Sequence, residues 1–311
     1  MLSNALSPAC LLADLRGSFE LVTTLPAEPE PGEILGLHPV VLVLLMIGLC
    51  VLAVAIGLWA MRPSRLSLRD APQRDNRLNI LQVAGALVVF WGASRLASLL
   101  LGQVFLKGIA EAAVAKPLQA RYGIGAGAVG SLFWLIASLL VAALAFREGL
   151  WRGLGLGPVR PLGQALRALV GYLMVFPICT GLHVAATMLF TALHWPITLH
   201  PVLRYFATFP PGWKAAAVVS ALVLAPLAEE VFFRGLVQSL IRRFGISAWL
   251  AILGGSLLFA VVHHNQPQAI PSLFALSIVL GYSYERTGRL LAPILLHAVF
   301  NAVQVGLVVL A

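Results

Sequence analysis

Apolar residues run almost without interruption for about 18 residues or more at eight places along the chain, near 38–61, 78–101, 124–146, 167–190, 214–241, 246–264, 268–284 and 290–310. A helix of that length crosses a hydrocarbon core about 30 Å thick. The pattern therefore predicts an all-α fold, a polytopic transmembrane helix bundle of about eight helices. The polar stretches between the runs are short, with no soluble domain and no internal repeat at a solenoid period of about 20 to 50 residues. The chain divides into a tail at 1–37, four transmembrane helices over 38–210, and a last group over 211–311 that concentrates polar residues within apolar segments.

Composition settles the solvent. Of 311 residues 60% are hydrophobic and 11% charged, with a mean hydropathy of +0.93, whereas a soluble domain is about 25% charged. The expectation is an integral, multi-pass membrane protein whose first partner is the lipid bilayer. A formal charge of +9 raises the question of nucleic acid, but the positions of the basic residues answer it with no nucleic-acid partner. Arg62, Arg65, Arg69, Arg74 and Arg77 follow the first run, Arg147, Arg152 and Arg160 the third, Arg242 and Arg243 the fifth, and Arg286 and Arg289 the seventh. By the positive-inside rule those loops are cytoplasmic. The opposite loops hold only Lys107, Lys116 and Arg121, then Arg204 and Lys214, so both termini point away from the cytoplasm.

The tail carries Asp14, Glu20, Glu28, Glu30 and Glu33 against Arg16, and "PAEPEPGE" reads as loosely ordered chain. No removable signal peptide is expected there. Cys10, Cys50 and Cys179 lack paired spacing, so packing is expected of them rather than a disulfide framework or a zinc site.

Chemistry enters at "ALVLAPLAEEVFFRGL", residues 221–236. A charged residue at the centre of a membrane helix costs about 2.5–3.5 kcal/mol on insertion scales unless it is paired or faces water. Glu230 and Arg234, four residues apart, share a helix face and can pair. Glu229 and Arg234 are roughly 140° apart around the axis, which leaves Glu229 free to point elsewhere. Pro226 removes a backbone donor just before this group and favours a bend. A buried structural cluster holding neighbouring helices is the plain reading of these charges, and their company argues against it. Phe259 and His263 stand four apart in the next helix, and His297 and Asn301 four apart in the last.

A carboxylate can act as general base on water, imidazole can orient that water or donate a proton, and an Asn amide can donate to an oxyanion. Together they suit peptide-bond hydrolysis without a covalent intermediate. A Gly-x-Ser-x-Gly elbow is missing, and no cysteine lies in the polar region. Depth is the difficulty. His263 lies about 26 Å beyond Ile246 and His297 about 12 Å beyond Arg289 at 1.5 Å per residue, so straight upright helices would not bring them level. Tilt or a break at Gly254–Gly255 is expected to reconcile them.

The series Glu229-Glu230-x-x-x-Arg234, Phe259-x-x-x-His263 and His297-x-x-x-Asn301 resembles the type II CAAX prenyl endopeptidase family, also called the CPBP or Abi family of intramembrane proteases, over about residues 214–310. The resemblance implies a metal-independent, cofactor-free glutamic-type endopeptidase in which Glu229 activates water and His263 assists. It further implies that His297 and Asn301 bind the carbonyl oxygen and its developing charge, while Glu230 and Arg234 support the site. The implied substrate is a hydrophobic or lipidated, CAAX-like peptide or protein. The first four helices carry no family motif, and His264 competes with His263, whose spacing from Phe259 favours it.

Two other function classes fit the same residues. One is a zinc-dependent membrane hydrolase using Glu229, His263 and His297 as ligands, although no His-Glu-x-x-His helix is present. The other is a non-enzymatic immunity, scaffold or transport protein using the cluster for binding or gating. Plainer readings cover the remaining polar residues. Arg95 pairs or snorkels, or else guides a carboxylate-bearing substrate. His183 hydrogen-bonds within the bundle, and His194 and His200 lie in a loop with the interfacial anchors Trp195 and Trp213. Trp151 and Trp249 belong to the same belt. Gly125, Gly127 and Gly130 are spaced for close helix packing rather than for a phosphate.

Overall fold

A hydrocarbon solvent forces the backbone to satisfy its own hydrogen bonds, and this chain does so with helices. The computed structural model describes residues 39–61, 67–69, 71–105, 112–157, 160–198 and 205–310. The expected tail, with Cys10, and also Arg62, Arg65, Lys107, His200 and Arg204 lie outside the described residues. Within them the only β pairing is an isolated bridge between Asn76 and Phe146. The helices are α1 (Pro39–Met61), α2 (Ile80–Phe105), α3 (Ala112–Ala145), the short α4 (Gly149–Gly153), α5 (Pro161–Ala192), α6 (Pro211–Arg243), α7 (Ala248–Val262), α8 (Ile270–Thr287) and α9 (Leu291–Leu310).

Each of the eight expected apolar runs coincides with a helix, α4 being an addition inside a basic loop. Five helices, α1, α2, α3, α5 and α6, are long and apolar enough to cross a membrane. The other three are shorter or carry polar residues. Their ends are marked by local chemistry: Pro161 and Pro211 open α5 and α6 at the position where a missing N–H costs nothing. The Ser247 hydroxyl caps α7 by accepting from Leu250 N at 3.3 Å, and Gly288, at φ 64°, ends α8.

Two expectations need correction. Arg121 does not lie in a loop. It belongs to α3, which begins twelve residues before the expected run, and its side chain is buried. The aromatic groups Phe206, Phe209 and Trp213, gathered around Ala120 and Ile124, extend the packing beyond the apolar span. Nor does α7 break at Gly254–Gly255, for it is continuous α-helix from Ala248 to Val262.

The core has two apolar halves. One joins α2, α3, α6 and α7 through Trp134, Phe232, Phe233 and Phe259; the Trp134 and Phe232 rings lie 4.8 Å apart. The other joins α1, α5, α8 and α9 through Tyr172, Phe176, Leu276, Leu280 and Leu296. Small residues set close approaches between helices. A Cβ on Gly48 of α1 would come within 2.7 Å of the Leu173 carbonyl and 2.9 Å of Pro177 Cδ. That carbonyl belongs to the helical turn that Pro177 deprives of its donor. Of the three glycines expected to pack closely, Gly130 would collide with Ser94 of α2, Gly125 has ordinary contacts, and Gly127 has nothing within 4 Å.

The four Arg-rich loops meet at one end of the bundle. Arg147 pairs with Asp75 at 3.2 Å, Arg77 N donates to the Ala145 carbonyl at 2.7 Å, Arg289 donates to the Gly157 carbonyl at 3.3 Å, and Arg243 donates to the Leu78 carbonyl. Here Gly155 (φ 69°) abuts the Gly288 carbonyl, so an added Cβ meets both a left-handed backbone and a collision. Gly149 (φ 78°) is equally left-handed but has open space around it. Gly155→Ala is expected to lower the thermal unfolding midpoint in detergent by several degrees more than Gly149→Ala, and equal shifts would contradict that packing.

Candidate functional site

The charged residues of α6 lie on the seam between the two apolar halves. Glu230 is fully buried, and its Oε1 accepts from Arg234 at 3.0 Å and from His297 Nδ1 of α9 at 2.9 Å. Arg234 turns its other terminal nitrogen to α8, donating to the Ser277 carbonyl at 3.1 Å and to Ser277 Oγ at 2.8 Å. Its guanidinium also stands 5.0 Å from the Phe259 ring centre on α7. One buried cation thus joins α6, α7 and α8, and through Glu230 reaches α9.

Glu229 is placed differently. Its side chain is 17% exposed, with Oε2 3.8 Å from His297 Nε2, too long for a hydrogen bond. Oε2 accepts no hydrogen bond from any described residue. The His297 ring is consequently set between two unequal carboxylates. An ionised carboxylate only accepts, so the bond to Glu230 puts the proton on Nδ1 and turns Nε2 toward Glu229.

Phe259 carries the link to α7. Its ring is buried, 5.1 Å from Phe233, 4.8 Å from His263 and 5.8 Å from His297, centre to centre. His263 ends α7, with Nδ1 2.8 Å from the Phe259 carbonyl. That carbonyl only accepts, so Nδ1 is the donor and Nε2 keeps the lone pair in the neutral ring. The link across the depth difference is the Phe259 ring, which stands beside both imidazoles on a helix with no bend. His263 is half-buried and His264 exposed.

Asn301 owes its place to an irregularity in α6. Over Ser220–Leu224 the helix is wound in the wider π register, in which Ala225 N–H donates to the Ser220 carbonyl five residues back. The next donor in that register, to Ala221, would come from Pro226, which has none. The Ala221 carbonyl instead accepts from Asn301 Nδ2 at 2.8 Å. A second π stretch, Val231–Gln238, follows the two glutamates. Glu229 and Glu230 therefore sit on six residues of regular helix, Ala225–Glu230, between two wide turns.

Some groups at the site escaped sequence reasoning. Ser277 is a fully buried serine in an otherwise apolar stretch of α8, a signal weaker than a charge. The freed Ala221 carbonyl was signalled by Pro226 only in part, because the register that makes the proline matter shows only in the backbone. Arg95 and His183 lie on exposed faces of α2 and α5, and His194 in the turn after α5. Among the described residues, no three His, Cys, Asp or Glu side chains converge as metal ligands would.

Residues 210–303 match the family described as type II CAAX prenyl endopeptidase Rce1-like. Two curated relatives are similar to part of the chain. An "Uncharacterized 24.3 kDa protein" of Escherichia coli is 34% identical over 93 residues, 29% of this chain and 42% of the relative. The "UPF0177 protein YaiF" of Lactococcus lactis subsp. lactis (strain IL1403) is 37% identical over 83 residues, 27% of this chain and 36% of the relative. The chain thus spans less than half the length of either. No solved structure matches it.

Proposed function

We propose, from the premise that residues 210–303 carry a Rce1-like domain of the type II CAAX prenyl endopeptidase family, that this integral membrane protein is an endopeptidase. It hydrolyses a peptide bond in a hydrophobic or lipidated, CAAX-like protein or peptide by Glu-activated water. The observation that carries this reading is the inequality of the two adjacent glutamates. Glu230 is fully buried and its Oε1 holds both Arg234 and His297, while the Glu229 side chain is 17% exposed and its Oε2 stops 3.8 Å short of His297 Nε2.

In this mechanism the attacking water binds to the Glu229 carboxylate, with the His263 Nε2 lone pair helping to orient it. Glu229 takes a proton as the water oxygen attacks the carbonyl carbon, and later returns that proton to the leaving amine. The oxyanion is held by an N–H on His297 Nε2, which makes the ring an imidazolium between two carboxylates, and by the Asn301 amide hydrogen not given to Ala221. Glu230, Arg234 and Phe259 keep the imidazole in place. Water is both nucleophile and proton source, so the cycle needs no cofactor.

The test is cleavage of a library of hydrophobic and C-terminally lipidated peptides by the purified protein in detergent, with and without chelator. Cleavage that survives chelation and needs Glu229 supports the reading. Chelator-sensitive cleavage restored by zinc would replace it with a metal mechanism, and no cleavage by folded protein would favour a binding or immunity role. Asn301→Ala is expected to lower kcat by about 10²-fold, the effect of losing one oxyanion donor, with KM changing little; a KM effect alone would move Asn301 out of the oxyanion role.

A further inference from the structure

The polar pairing between α6 and α8 does not stop at Arg234. Gln238 lies one turn further along α6, buried, and its amide donates to the Gly281 carbonyl at 3.1 Å and to Glu285 Oε1 at 2.9 Å. Another turn on, Arg242 Nε lies 3.5 Å from Glu285 Oε2. On α6 the positions 230, 234, 238 and 242 recur every four residues, as do 277, 281 and 285 on α8, so each set makes one stripe. The stripes face each other rung by rung, from Arg242 at the basic end of the bundle toward Glu230, three such steps away along α6.

Gly281 is what allows the middle rung. A Cβ there would stand 2.9 Å from Gln238 Oε1 and 3.2 Å from Ile252 Cγ2, so only a bare backbone lets the Gln238 amide reach the carbonyl. Ser239, next to Gln238, is tied to the loop before α2 by Asn76 Nδ2, which donates to its carbonyl at 3.4 Å. None of these groups touches the proposed reacting atoms. Their shared effect is mechanical. Apolar helix surfaces can slide or rotate on one another with little change in energy, whereas a slip of α6 against α8 would strip a buried amide and a buried carboxylate of their partners.

We propose that Gln238 and Glu285 are positioning residues of the proposed peptidase. They hold α6 and α8 in the register at which Arg234 meets Ser277, and thereby hold Glu230 and His297 in line with Glu229. The inference rests on the catalytic reading above. It also makes a structural statement independent of turnover, that the Glu230–His297 hydrogen bond depends on a contact two turns away.

The experiment compares Gln238→Leu, Glu285→Leu and the conservative Glu285→Gln in the full chain, reading kcat and KM on a cleaved library peptide, the unfolding midpoint, and the side-chain ¹⁵N signals of His297, assigned with His297→Asn. Gln238→Leu and Glu285→Leu are expected to lower kcat about tenfold, equal to about 1.4 kcal/mol in the barrier, with KM within about twofold. Glu285→Gln, which keeps an acceptor for the Gln238 amide, is expected to recover most of that loss. In Gln238→Leu the His297 Nδ1 signal is expected to lose its hydrogen-bonded position while the protein stays folded. Unchanged kcat and an unchanged His297 spectrum would overturn the proposal, as would a kcat loss that tracks the unfolded fraction in all three variants. If the wild-type protein cleaves nothing, the peptidase reading fails by itself, and the His297 spectrum alone decides whether the register contact exists.

Discussion

Glu229→Gln is expected to lower kcat by about 10²–10⁴-fold, the contribution of a positioned general base, and to leave the unfolding midpoint within about a degree or two. The amide has nearly the shape of the carboxylate but cannot take a proton from water. Glu229 is partly exposed, and its Oε2 has no protein hydrogen bond to lose, so the substitution leaves no new buried charge. A near-isosteric change that breaks no hydrogen bond and creates no cavity lacks the mechanisms that cost several kcal/mol. Initial-rate measurements on any peptide the wild-type protein cleaves, paired with a melt of each preparation, test both halves. Activity retained within about tenfold removes Glu229 as the base, and loss of folded protein would show that the two glutamates are not separable in role.

Arg234→Leu is expected to give the opposite signature, destabilising the fold by about 3–5 kcal/mol. The leucine removes the partner of Glu230, which has no solvent exposure, and orphans the Ser277 hydroxyl in the same step. A lone carboxylate in that position has only His297 left. Replacing both members, with Glu230→Leu and Arg234→Leu together, is expected to recover a large part of the lost stability, because no unpaired charge is then buried. Activity should not return, since His297 Nδ1 has lost the acceptor that orients it. The measurement is detergent unfolding of the two single variants and the double variant. Additive losses in the double would show that Glu230 and Arg234 act independently, against the geometry.

These two substitutions probe adjacent parts of one helix, and their contrast shows how much of the site is legible without tertiary structure. Helical spacing alone puts Glu230 and Arg234 on one face and turns Glu229 away, and hydropathy alone locates the segments. Spacing also places Phe259 beneath His263 and Asn301 beyond His297. It does not reveal that the Phe259 ring stands beside both imidazoles, one on its own helix and one on α9. Helix ends lie at different depths, and an aromatic ring can bridge a turn.

Other features were invisible for different reasons. Ser277 and Gln238 are uncharged, and a neutral polar residue in a membrane helix stands out less than a charge. Arg121 looked like a loop residue because its side chain is charged, yet it is buried within α3. The π register over Ser220–Leu224 has no composition signal of its own.

What belongs to the linear chain is therefore what depends on near neighbours and on the solvent: the apolar runs, the loops that collect arginine, the pairs four residues apart, and a proline that withholds a donor. Each follows from helix geometry and from the cost of polar groups in hydrocarbon, both of which act locally. What only the folded chain decided is which partner each polar group finds. Glu230 meets His297 across 67 residues and Arg234 meets Ser277 across 43. The physical reason is that apolar helix faces in a membrane pack in many arrangements of similar energy, while a buried charge or amide is satisfied in few, so the three-dimensional set of polar partners selects among them.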